Sequence, residues 1–219
     1  MVKWIRFLLA LILIISLSPL LIIVSIGIYL SDPGPILFNA RRVGLDGEIF
    51  TIYKFRSMKN VKESPTITSK DDPRIFWFGK FIRKTKIDEL PQLINILKGD
   101  MAFIGPRPED EEIVKDYYDD FLRKSLKVKP GLASPGSLFN YTHLENLIED
   151  QKAEEIYLDK ILKVKVGVDV LYAQKKNILY DLKICFKTIS IITQMTFGRK
   201  NFECPQEYLD LRENYGISL

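Results

Sequence analysis

The chain has 219 residues, enough for one domain with a small appendage, which excludes a multidomain machine. A formal net charge of +4 with 27% charged residues is too mild for a dedicated nucleic-acid binder, so no nucleic acid is expected as a partner. The single histidine, His143, sets aside histidine zinc sites, Ser-His-Asp triads and Cys-His dyads, and two cysteines, Cys185 and Cys204, make no disulfide framework.

Residues 7–30, FLLALILIISLSPLLIIVSIGIYL, carry no charge. As a straight helix they would reach about 36 Å, enough for a hydrocarbon core of about 30 Å with some tilt. The stretch is too long for a signal-peptide core and lacks a small-residue cleavage site. Ser16, Ser18 and Pro19 stand at its centre, where proline removes a backbone hydrogen bond and a serine hydroxyl can satisfy the freed carbonyl. Cations lie on both sides, Lys3 and Arg6 before and Arg41, Arg42 and Lys54 after. Taken alone, these features fit equally a single-pass anchor and a helix that enters and returns on one face.

Ser31-Asp32-Pro33-Gly34-Pro35 is a break, followed by short strands at 36–38 and 48–53 around a turn at Gly44–Gly47, which predicts a hairpin. Residues 59–73 are polar and without periodicity, the composition of a mobile loop. In 75–86, IFWFGKFIRKTK, apolar and basic residues mix as in a helix at a lipid interface, though a core-packed amphipathic helix fits as well. Residues 88–98 read as a helix with Pro91 in its first turn and Gly99 as its stop. Then come a turn-rich segment at 101–110, a charged helix over 109–127 whose run Glu109–Glu112 reads as a solvated face, a loop at 129–137, and helices over 143–164 and 166–195.

Acidic pairs recur along the chain, but Asp88-Glu89 follows a cationic amphipathic stretch, opens an apolar helix and precedes Gly105-Pro106-Arg107-Pro108. A carboxylate near a helix start stays ionised and can serve as nucleophile or metal ligand; as a lone feature, Asp88 reads first as an N-cap. Arg107 between two prolines sits on a stiff backbone that suits bidentate phosphate recognition, or is a solvated turn arginine. Lys54 and Arg56 alternate with Tyr53 and Phe55, so both cations are expected on one side of a strand. A membrane anchor, phosphate-binding cations and a carboxylate pair together fit phosphoryl chemistry on a lipid-borne substrate, with Mg²⁺ as the usual clamp.

Several strings stand in a distinctive order: Ser18-Pro19 in the apolar helix, DPGPILFNARRVGLDGEIFTIYKFRSM (32–58), FGKFIRKTKIDELPQLINILKGDMAFIGPRP (78–108) and VKPG (128–131). Weaker ones follow in Asp169-Val170-Leu171-Tyr172 and at 177–184. In these the chain resembles the bacterial sugar transferases, the monotopic polyprenyl-phosphate phosphoglycosyl transferases of surface-glycan initiation. The resemblance implies transfer of a phosphosugar from a nucleotide-sugar donor, usually a UDP-sugar, to polyprenyl (undecaprenyl) phosphate, with release of UMP. Asp88 matches the family's nucleophile, which forms a covalent phosphosugar intermediate, and Glu89 its partner, assigned to Mg²⁺ binding or to handling the acceptor phosphate; Asp88 and Glu89 are the expected Mg²⁺ ligands. Lys54, Arg83, Arg107, Asp169 and Tyr172 match positions associated with phosphate or substrate binding.

Ser18-Pro19 matches the family's helix break and favours the re-entrant arrangement. The expected fold is α-rich α+β: a re-entrant membrane helix over 1–31, then a short β-hairpin and amphipathic interfacial helices around a compact catalytic core over 32–200, and a C-terminal tail over 201–219. The site would lie on the cytoplasmic face of the bacterial inner membrane, in contact with membrane lipid, with downstream glycosyltransferases or a second copy of the chain as further candidate partners. The chain resembles the small form that holds only the catalytic core. After Gly131 it departs from the family's usual threonine or serine, glycine, tryptophan and glutamine pattern, reading LASPGSLFNYTH over 132–143, where the sugar or nucleotide pocket is expected. A noncatalytic assembly factor of the same fold is the alternative, and intact Asp88, Glu89 and Arg107 argue against it.

Overall fold

The structure, a computed structural model, describes residues 2–59, 72–147 and 152–219. Most of the segment read as a mobile loop, residues 60–71, lies outside the described residues.

Helix α1 (Val2–Ser31) runs through Pro19. Proline at 19 has no N–H for the Ile15 carbonyl, and the Ser18 hydroxyl donates to that carbonyl at 2.7 Å, as the serine placement predicts. One side of the helix packs on the rest of the protein. Ala10, Ile14 and Leu17 meet Ile52, Leu93, Ile96 and Met101, while Val24 and Ile28 meet Phe55, Phe76 and Ile82. The other side exposes Leu8, Ile12, Ile15, Ile22, Ile23 and Ile26. At the exit Arg56 donates to Asp32 and to the Pro35 carbonyl, which fixes the end of α1 to the hairpin.

The hairpin pairs β1 (Leu37–Val43) with β2 (Ile49–Phe55) in antiparallel register, Leu37 opposite Phe55 and Val43 opposite Ile49. β1 is longer than its sequence predicts, because Asn39–Arg42 have no apolar alternation and pair only through β2. Helix α2 (Trp77–Lys84) buries Ile82 against the core and exposes Trp77 and Phe81.

Residues Ile87–Gln92 form a 3₁₀ turn that continues into α3 (Leu93–Lys98), and Gly99 ends it in the left-handed conformation expected of it. Asn95, fully buried in α3, accepts from Tyr53 N at 3.1 Å and donates to the Thr51 carbonyl at 2.7 Å, so α3 is clamped to β2 with no unpaired amide edge.

Two segments read as turn and loop contain a parallel ribbon, β3 (Ala102–Ile104) beside β4 (Gly131–Ala133). Strands this short show no period in sequence. Their backbones approach closely: a Cβ on Gly105 would lie 2.2 Å from the Lys129 carbonyl oxygen, and one on Gly131 2.0 Å from the Gly105 nitrogen. Those glycines are the ones in GPRP and VKPG, so the pairing sets the Arg107 turn.

The charged helix expected over 109–127 is instead α4 (Glu111–Tyr117) followed, after a break, by a 3₁₀ turn at Leu122–Lys127. Its first residues are not one solvated face. Glu109 is buried, accepting from Lys165 and from the Tyr157 hydroxyl, and Asp110 caps α4 and pairs with Arg42 at 2.5 Å. Next come α5 (Pro135–Phe139) and a π-helical turn at Asn140–Leu144. Helix α6 (Ala153–Ile156) leads through a further π turn into α7 (Leu162–Lys175). The break between the last long helices falls at Lys176–Asn177, with Asn177 capping α8 (Ile178–Thr196) through Tyr180 N, rather than at 165. Helix α9 (Gln206–Tyr215) docks on the same core, Tyr208 stacking on Phe139 at 4.6 Å and Leu211 lying against Gly167.

Candidate active site

Lys86 adopts a left-handed backbone, φ 56° and ψ 17°, which turns the chain from α2 into the 3₁₀ turn and carries Asp88 and Glu89 inward. Both carboxyls are buried, at 7% and 8% exposure. Asp88 therefore stands in the first turn and not as its cap.

Arg107 reaches Glu89 as a fork, donating from Nη2 to Oε1 at 2.5 Å and from Nη1 to Oε2 at 3.0 Å. Lys54, from β2, lies 3.4 Å from the same Oε1. Burial works to raise the Glu89 pKa, but the charges of Arg107 and Lys54 outweigh it and hold this carboxyl well below the usual range. Lys54 is lowered to about 8 by burial, against the pull of Glu89.

Asp88 is in the opposite situation. Burial first, and then the Glu89 charge, push its pKa up, and its buried Oδ1 has no hydrogen-bond partner among the described residues. Two adjacent carboxyls thus differ in kind: Glu89 is a clamped anion, and Asp88 has one buried oxygen that meets no donor among the described residues.

The Arg107 turn is held from behind. Asp169 on α7 accepts from Arg107 N at 3.1 Å, Ser134 Oγ at 3.0 Å and Gly136 N at 2.7 Å. Its carboxylate is fully engaged by the protein, so it positions Arg107 and the start of α5. Burial raises its pKa to about 6, despite those donors. An Asp169→Asn variant keeps one acceptor oxygen and turns an amide toward a backbone N–H. It should lower kcat/KM by about ten- to a hundredfold and abolish the part of the acid limb near pH 6 that reports Asp169 protonation. A pH–rate profile unchanged between the two proteins would remove Asp169 from this role.

Of the residues expected at the site, the structure brings Lys54, Asp88, Glu89 and Arg107 together. Arg83 acts on Asp88 by charge, its guanidinium lying 3.6 Å from Met58 Sδ. Tyr172 is not brought there: it is fully buried and donates to Asp181 Oδ1 at 2.5 Å, within a cluster that includes Ile104, Leu138 and Ile184. Arg56, expected on the face of Lys54, bonds to Asp32 and to the Pro35 carbonyl and staples the end of α1. Two residues were not anticipated. Tyr141 accepts from Arg107 Nη1 at 3.1 Å, and the Lys86 ammonium lies 3.6 Å from the centre of its ring.

The donor set fits Mg²⁺ in part. Among the described residues no group of three or more metal-ligating side chains exists, but this ion commonly takes one or two carboxylates and completes its shell with phosphate oxygens and water. Asp88 offers a free oxygen; Glu89, expected as a second ligand, has both oxygens occupied by Arg107 and Lys54.

A family model described as bacterial sugar transferase matches residues 1–195. A UDP-glucose:undecaprenyl-phosphate glucose-1-phosphate transferase of Escherichia coli is 33% identical over 186 residues, covering 83% of this chain and 38% of the relative. A UDP-N-acetylgalactosamine-undecaprenyl-phosphate N-acetylgalactosaminephosphotransferase of Aeromonas hydrophila is 36% identical, covering 80% of this chain and 39% of the relative. The exopolysaccharide production protein ExoY of Sinorhizobium fredii is 32% identical over 202 residues, 84% of this chain and 82% of the relative. The chain spans less than two fifths of the length of the first two.

Proposed function

Because the chain belongs to the bacterial sugar transferase family, we propose that it moves a phosphosugar from a UDP-sugar to undecaprenyl phosphate, releasing UMP and initiating a surface glycan. The observation that carries this reading is the unpartnered, buried Asp88 oxygen beside a carboxylate already neutralised by Arg107 and Lys54. An Asp88 oxygen attacks the sugar-bearing phosphorus. The new O–P bond forms as the bond to the bridging oxygen breaks, and UMP leaves with the electron pair. An oxygen of undecaprenyl phosphate then attacks the same phosphorus and returns Asp88 to its carboxylate. Mg²⁺, held by Asp88 with phosphate oxygens, would supply charge neutralisation. Arg107, fixed by Asp169 and Glu89, presents its guanidinium where phosphate charge gathers.

The packing of α1 supports a helix that enters and leaves the bilayer on one face. Its contacts with the body run from Ala10 to Ile28, about 27 Å along the axis. A span perpendicular to the membrane would carry α3 and its neighbouring charges into hydrocarbon. The catalytic body then rests on the cytoplasmic face, where nucleotide sugars are found. A cysteine at position 2, in a protein lacking Cys185 and Cys204, should resist a membrane-impermeant thiol reagent added from the periplasm; labelling there would mean a span.

The reaction is tested by UMP release from detergent-solubilised protein with Mg²⁺ over a panel of UDP-sugars, with and without undecaprenyl phosphate. Multiple-turnover release from at least one donor, dependent on the acceptor, is expected, with no more than one equivalent per protein without it. Release of free sugar phosphate without acceptor would identify a hydrolase instead.

A further inference from the structure

Among the cations around Asp88 and Glu89, Lys54 and Arg107 already bond to Glu89, so their charge is matched within the protein. Lys86 is not matched in this way. Its side chain is 18% exposed, the nearest carboxylate, Glu145, is 3.9 Å away, and its ammonium makes no hydrogen bond among the described residues. What holds it is the face of the Tyr141 ring at 3.6 Å. The Lys86 charge nevertheless acts on both Asp88 and Glu89.

The backbone at this position does not ask for lysine. A φ of 56° is left-handed, a conformation that glycine or asparagine adopts with less strain than a long side chain. The only other described non-glycine residue with positive φ is Asp46, in the hairpin turn. A strained lysine beside a reactive carboxyl, three donors in hand and no acceptor, is arranged for something that arrives from outside.

Tyr141 determines where that donor sits. Its ring carries Lys86, and its hydroxyl accepts from Arg107 at 3.1 Å, so one side chain spaces the loosely paired Lys86 from the clamped Arg107. It is borne on the π-helical turn Asn140–Leu144, within the segment where this chain departs from its family's pattern. The turn also places Asn140, whose buried Oδ1 has no partner among the described residues.

We propose that Lys86, seated on the Tyr141 ring, is a further phosphate-binding residue of the site, donating a charge-assisted hydrogen bond to a phosphate oxygen that enters beside Asp88. The proposal rests on the phosphosugar-transfer reading and adds to it a named anion contact. The phosphate belongs either to the nucleoside diphosphate donor or to the lipid acceptor, and the two are separable by binding.

The test is equilibrium binding of UDP and, separately, of undecaprenyl phosphate to the full chain in detergent, for the wild type, Lys86→Met, Lys86→Arg and Tyr141→Leu. Loss of one charge-assisted hydrogen bond should weaken binding about ten- to a hundredfold in Lys86→Met. Lys86→Arg should recover most of it, and Tyr141→Leu, which removes the seat, should fall between. A loss confined to one ligand names the source of the phosphate, and equal loss at unchanged melting temperature means that both phosphates use the same cation. Wild-type affinity for both ligands in Lys86→Met overturns the proposal, as does equal loss accompanied by a lowered melting temperature. Binding is read without turnover, so failure to release UMP from any donor counts against the reaction and leaves the test of Lys86 standing. A wild type that binds neither ligand overturns both.

Discussion

Asparagine at position 88 should lower turnover by at least about 10⁴-fold, because the amide nitrogen and oxygen are poor nucleophiles toward phosphorus and no neighbouring group can replace the carboxylate. Glu89, the nearest candidate, is held by Arg107 and Lys54. The same variant should remain folded. Burial and the Glu89 charge raise the Asp88 pKa in the folded protein. A carboxyl with a raised folded pKa contributes stability below its unfolded pKa and loses it as pH rises through the folded value, so ionised Asp88 opposes folding at neutral pH. A neutral amide removes that opposition, and the melting temperature at pH 7 should hold or rise. Loss of activity with retained stability separates a chemical role from a structural one; near-normal turnover in the purified variant would remove Asp88 from the reaction.

Lysine at position 107 should lower kcat/KM by about 10²- to 10³-fold. The positive charge survives, but an ammonium cannot make the two parallel bonds to Glu89 and reach Tyr141 as well. Because Asp169 and the β3–β4 pairing hold the backbone at 107 independently of the side chain, the change stays local. Alanine is the less informative substitution. It leaves the buried Glu89 carboxylate with Lys54 alone, and a broken buried pair costs about 3–5 kcal/mol, so activity and folding would fail together. A near-wild-type kcat/KM in Arg107→Lys would mean that the fork only supports Glu89.

Local signals in the sequence disclosed the elements that depend on local physics. The long uncharged helix, the Ser18 hydroxyl on the carbonyl that Pro19 leaves free and the Gly99 stop all follow from composition or from a single residue's conformational preference. Elements that depend on distant partners did not show. The β3–β4 ribbon is two three-residue strands brought together only where Gly105 and Gly131 let the backbones touch. Glu109 sits in an acidic run that looks solvated, yet Lys165 and Tyr157 draw it into the core from α7 and the turn before it.

At the site, Asp88, Glu89, Lys54 and Arg107 were all legible as chemistry-bearing types, while their division into a clamped and an unclamped carboxyl was not. That division depends on which oxygen each cation reaches. Asp169 and Tyr172 lie three residues apart in one helix and look alike as site candidates; one reaches the Arg107 turn and the other the start of α8. Lys86 lies within the 78–108 string and Tyr141 within the divergent 132–143 segment, but neither stood out as a site residue, because a left-handed lysine and the aromatic ring beneath it become related only through the fold.

The central claim is that Asp88 carries the phosphosugar between donor and acceptor. It is tested most directly by intact-protein mass spectrometry after brief incubation with the active UDP-sugar and Mg²⁺ in the absence of lipid acceptor, followed by fragmentation of the peptide containing residues 87–98. A mass increase equal to the phosphosugar, located on Asp88 and discharged on adding undecaprenyl phosphate, is the predicted result. An adduct on another residue, or none while Mg²⁺-dependent transfer proceeds at a rate that rapid quenching can sample, would contradict it.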